Sequence, residues 1–154
     1  MRVEFRRPVV DEAGAPAHAA TYLRERRMVI DEALAADREE FARIFVHELF
    51  HFVWLRLGNG KRRSFENVLV RELRREARGE LGWSAEWRKR KLAPADWINR
   101  TRRWREYCCE SFCDTAAWLY AGVRQHEEFT LAGEMRETRR EWFRRAGVND
   151  GISI

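Results

Sequence analysis

Only three cysteines occur in this sequence, Cys108, Cys109 and Cys113, and all three crowd into one short stretch. An odd, clustered set of this kind is no disulfide framework. Long apolar runs are also missing, so no segment reaches the length needed to span a bilayer. The opening MRVEFRRPVVDEAG has charges where a secretory leader would place its apolar core. A reducing, cytoplasmic setting and no membrane contact are therefore expected. No repeat, low-complexity tract or Pro/Gly/Ser-rich linker divides the chain, so residues 1–154 are expected to form a single domain. That length suffices to bury a hydrophobic core without staples. Lysine is scarce too: Lys61, Lys89 and Lys91 stand alone among 30 basic residues.

What the chain does have is charge, 36% of all residues, with a net +5. The excess is concentrated between residues 61 and 105, where arginines dominate, whereas the remainder is net acidic. A basic segment attracts acidic partners or nucleic acid. Here glutamates interleave with the arginines, which reads as a solvated helix face. Trp83, Trp87, Trp97 and Trp104 lie among these charges. They read as anchors holding a long connection onto the core, and the segment does not point to direct nucleic-acid binding.

Strand signals are confined to the first thirty residues. Val3 and Phe5 alternate with charged neighbours, Ala20, Tyr22 and Leu23 follow the turn-like Ala13-Gly14-Ala15-Pro16, and Met28-Val29-Ile30 come next. Two or three strands in one small sheet are expected. The rest reads as helices. Asp37 with Glu40 three residues on resembles a capping box, and Gly58 is a stop, giving a helix over 38–57. Ser64 caps a second helix to about residue 78. Residues 82–99 read as loop. Thr101 starts a third helix that runs to Tyr120, and Thr130 caps a fourth that ends before Gly147, leaving 148–154 as a loosely held tail. The fold class expected is α+β, mainly helical, with a small N-terminal sheet.

The first helix carries His47-Glu48-Leu49-Phe50-His51. At 3.6 residues per turn the two histidines share one face, so both imidazoles can meet one tetrahedral ion such as Zn2+. Glu48 lies beside them, placed to accept the proton of a water that the ion activates for attack on a carbonyl carbon. Every other position from Ile44 to Val53 is uncharged and apolar, which marks a buried helix. Polar groups inside such a helix need partners.

A catalytic zinc takes three protein ligands and keeps one position open. A third histidine in HExxHxxGxxH is excluded, because Trp54 stands at the glycine position and Leu57 at the histidine position. His18 and His126 are distant. Glutamates on later helices remain. Glu72 sits among charges that look like a solvated face, whereas Glu110 lies in the small, apolar setting CCESFCDTAAW. Asp114, one turn beyond Glu110, can hold the other ring N–H of a liganding histidine, so Glu110 with Asp114 is preferred over Glu72. Glu106 is a weaker spare. HELFH followed by ESFCD resembles the gluzincin pattern of HExxH and a downstream ExxxD, and with the preceding strand it is similar to the ImmA/IrrE-like peptidases.

The resemblance spans about residues 28–118 and implies a zincin-like fold with the motif helix under the sheet. It implies a zinc metallopeptidase acting on peptide or protein substrates through Glu48, with an edge strand within 20–30 pairing with the substrate. It also implies a regulatory protein partner, such as a transcriptional repressor. The alternative it leaves open is a weakly catalytic zincin-like regulator, or one whose metal is covered by residues 82–99 or by the tail. The sequence departs from the family in having Phe50 before the second histidine, and in its basic middle segment. Two further readings stand. Tyr107, three residues before Glu110, is a candidate donor to the oxyanion. Cys109 and Cys113, one turn apart, suit either a soft metal or apolar packing against the motif helix.

Overall fold

The computed structural model describes residues 1–10 and 17–148. Within them lie three strands and six α-helices: β1 (Arg2–Arg6), β2 (Ala19–Tyr22), β3 (Arg27–Asp31), α1 (Arg38–Arg56), α2 (Asn59–Arg74), α3 (Trp83–Lys89), α4 (Pro94–Ile98), α5 (Arg102–Tyr120) and α6 (Gly133–Arg145). The mixed α+β class is as expected. The turn at 13–16 and the tail at 149–154 lie outside the described residues. No described helix is long and apolar enough to cross a membrane.

The sheet has the order β1-β3-β2, with β1 parallel and β2 antiparallel to the central β3. Met28, Val29 and Ile30 make β3 the apolar strand, and all three are buried. One face of the sheet covers α1. Met28 and Ile30 pack with Phe52, and Phe41, Ile44, Phe45 and Leu49 flank them. The opposite side of α1 enters the main core. There Phe50, Val53, Trp54 and Leu57 meet Phe65 of α2, Phe112 and Ala116 of α5, and Phe143 of α6. A helix covered on two sides needs apolar residues nearly all round, which is why α1 has no charged residue between Ile44 and Val53 except the motif glutamate.

Asp37 caps α1 as its position predicts, accepting the backbone N–H groups of Glu39 at 3.1 Å and Glu40 at 3.0 Å. Other boundaries differ from expectation. Gly58 is a joint, and α2 begins straight after it; Ser64 is inside α2 and accepts Trp142 Nε1–H at 2.9 Å. Residues 82–99 are two short helices, α3 and α4, the second opened by Pro94 in its first turn. Thr130 does not cap α6. It pairs with the 79–80 backbone, donating its amide to the Glu80 carbonyl at 2.9 Å and accepting the Glu80 amide on its hydroxyl at 3.1 Å.

Most basic side chains of residues 61–105 are exposed, as a solvated face requires, and a few bind other parts of the fold. Arg62 donates to the last carbonyls of α1, at Trp54 and Leu55; Lys61 donates to the Ala146 carbonyl at 2.6 Å. Arg100 pairs with the buried Glu66, and Lys89 with the buried Glu80. Of the four tryptophans there, Trp104 is buried and Trp97 packs on the core, while Trp83 and Trp87 are exposed.

Candidate metal centre

The centre is built where α1 meets α5. His47 and His51 stand one turn apart with ring centroids 5.0 Å from each other. Glu110 faces them from α5. One ligand atom from each of the three lies within 4.8 Å of the others. Ligand atoms about 2.1 Å from a tetrahedral zinc are roughly 3.4 Å apart, and His47 Nε2 stands 3.4 Å from Glu110 Oε2. The donor set, two imidazoles and a carboxylate, is that of a catalytic zinc site with one position left for substrate or water.

Each of the three side chains is held by a second group. Asp114 Oδ1 lies 2.6 Å from His47 Nδ1, which turns Nε2 toward Glu110. The other oxygen of Asp114 accepts the Ala85 amide at 3.0 Å. His51 Nδ1 lies 3.5 Å from Cys109 Sγ. Glu110 Oε2 accepts the Ser84 hydroxyl at 2.6 Å, and its Oε1 is 3.4 Å from the Arg88 guanidinium. Glu48 is half-buried on the same turn of α1 as His47. Its carbonyl accepts the Thr21 hydroxyl of β2 at 3.4 Å.

The charges are strongly coupled. Burial disfavours an imidazolium at His47, but the Asp114 carboxylate outweighs it and raises the pKa well above its ordinary value. At His51 burial acts the same way and the contact with Cys109 overcomes it, raising the pKa to about 9. Glu110 goes far below the usual carboxylate range: burial opposes this, and His47, His51 and Arg88 drive it. The hydrogen bond from Cys113 pulls the Cys109 thiol down to about 6, against burial. Carboxylates that hold protons on facing imidazoles favour positive charge between them, and a metal entering there would displace those protons.

The structure brings together His47, His51, Glu110 and Asp114, the set that the helical spacing and the apolar setting of Glu110 favour, and leaves other candidates elsewhere. Tyr107 is not at the centre. It is fully buried on another face of α5 and donates to Glu80 at 2.5 Å. Burial and the neighbouring Glu80 push its phenol well above 10. Glu72 is no solvated residue but 1% exposed, with both oxygens on Arg139 at 3.0 and 2.6 Å. Glu106 is exposed and pairs with Arg102 at 2.6 Å.

Ser84, Ala85 and Arg88 went unrecognised because two turns of helix are too short to show a period. The signal present was Gly82. A Cβ there would fall 2.3–2.5 Å from the Asp114 carboxylate, so only glycine lets α3 approach this closely.

No family model, curated protein or solved structure matches this chain.

Proposed function

We propose that the chain is a zinc-dependent peptidase with a zincin-like fold, akin to the ImmA/IrrE-like peptidases, in which His47, His51 and Glu110 hold the ion and Glu48 is the general base. One observation carries this reading: His47, turned by Asp114, presents Nε2 3.4 Å from Glu110 beside His51, on a helix that also carries Glu48. Bound there, zinc would polarise a substrate carbonyl and acidify a nearby water. Glu48 takes the proton of the attacking water and passes it to the leaving amine. Ser84 and Arg88 fix the direction of the Glu110 carboxylate.

The strand β2 is a sheet edge, and Thr21 ties it to the Glu48 turn. An extended peptide adding to that edge would run past the motif helix. The substrate is accordingly a peptide or an extended protein segment, and a regulatory protein such as a transcriptional repressor is the partner the resemblance suggests. All three cysteines are unpaired, which suits a reducing, cytoplasmic setting.

The test uses protein purified without nickel affinity. One zinc per chain is expected by metal analysis, and Glu48→Gln retains it while cleavage of an unfolded-protein panel falls at least ~100-fold. Protein without zinc, or a Glu48→Gln variant that cleaves like the parent, would sink the reading.

A further inference from the structure

His51 belongs to a second group of donors. A ring nitrogen of His51 and the thiols of Cys109 and Cys113 also lie within 4.8 Å of one another. Nδ1 of His51 faces this group, 3.5 Å from Cys109 Sγ. Cys113 is fully buried and Cys109 half-buried, and neither forms a disulfide. Both thiols project from α5 one turn apart, beside the Glu110 that faces the first centre.

We propose that Cys109, Cys113 and His51 form a second cation site, for a soft, thiophilic ion such as Cu+ or Cd2+, which shares His51 with the His47–His51–Glu110 centre. Two polarisable sulfurs and one imidazole select soft ions, whereas two imidazoles and a carboxylate suit a borderline ion such as zinc. The protons held among the two thiols and His51 leave to solvent as the sulfur and ring-nitrogen lone pairs pass to the ion, and no electron is transferred. A neutral imidazole has one lone pair, so His51 serves one ion at a time, through Nδ1 or through Nε2. The two sites are alternatives, and a soft ion held by the thiols takes His51 away from the first centre.

The test titrates the full chain, loaded with zinc, with Cd2+ alone. Thiolate-to-cadmium charge-transfer absorption should grow to one equivalent while zinc is released in step. The double variant Cys109→Ser/Cys113→Ala should lose the band with its circular dichroism unchanged. Should that variant not fold, Cys109→Ser alone, at a half-buried position, should weaken the band. Glu110→Gln, which removes a ligand of the first centre only, should keep it. Absence of the band overturns the proposal, as does its survival in the double variant, which would assign it to Cys108. So does its loss in Glu110→Gln, or zinc and cadmium bound together in one chain.

Discussion

Asp114 serves both α1 and α3 with one carboxylate, fixing the ring of His47 through Oδ1 and holding the Ala85 amide through Oδ2. Its charge raises the basicity of the ring nitrogen that would meet a metal. Asp114→Asn keeps the shape and an acceptor but loses the charge, so zinc affinity should fall about 10- to 100-fold, read by competition with a chromophoric chelator. An unchanged affinity would show that the contact is only structural. The histidines also make zinc binding depend on pH. His51 is protonated below about 9 and His47 holds its proton more firmly than an ordinary imidazole, while a metal needs both neutral. Affinity should therefore fall as pH drops below about 9, by about tenfold per pH unit for the His51 proton and more steeply where His47 gives up a proton as well. Zinc titrations between about pH 6 and pH 9 check this, and a flat profile would contradict it.

At the scale of elements, α3 is the piece that completes the centre. A helix of seven residues is not stable alone. It is held by its amide on Asp114, its hydroxyl on Glu110 and the Lys89 ammonium on the Gly79 carbonyl at 2.8 Å. Gly82 permits this docking. Gly82→Ala would drive a methyl into the Asp114 carboxylate and should cost about 1–3 kcal/mol in chemical denaturation. Zinc affinity should weaken in the same variant, because the residue that orients His47 has to move. Parent-like values on both counts would mean that α3 docks loosely. The sequence shows α1 and α5 because each has nineteen residues with legible caps, Asp37 and Thr101. It does not show α3 and α4, whose helicity comes from what they touch.

For the molecule as a whole, a buried ionic network ties the helices together. Arg139 of α6 is fully buried, with Glu72 of α2 at 2.6 Å and Glu80 at 2.7 Å; Tyr107 of α5 and Lys89 of α3 also meet Glu80. Four helices converge on these carboxylates. Burial alone would raise the Glu80 pKa, but Arg139 and Lys89 hold it below its ordinary 4.5. A carboxylate depressed in the folded state adds stability above its unfolded pKa and loses it as pH falls through the folded value. Arg139→Met leaves the buried Glu72 without its ion pair and Glu80 with Lys89 as its remaining cation, and should cost about 3–5 kcal/mol near neutrality. In that variant burial of Glu80 is opposed by Lys89 but no longer by Arg139, so its carboxyl takes up a proton more readily as pH falls. The deficit against the parent should narrow as pH falls from about 7 to about 4, and urea denaturation across that range would show it. A deficit that widens on acidification would contradict the assignment.

Local spacing alone determined that His47 and His51 share a face, that Glu48 stands beside them and that Asp114 lies one turn beyond Glu110, because helical periodicity acts over a few residues. The apolar surround of the motif likewise announced a helix buried on two sides. The setting of Glu110 already favoured it over Glu72; what tertiary structure alone decided is where the two carboxylates go. Glu72 and Glu110 are both helical carboxylates, and only the docking of α5 on α1 and of α6 on α2 sends one to the two histidines and the other to Arg139. Tyr107 was misplaced for the same reason. Three residues from Glu110, it is near in sequence, but a buried phenol goes where a partner satisfies it, and that partner is Glu80.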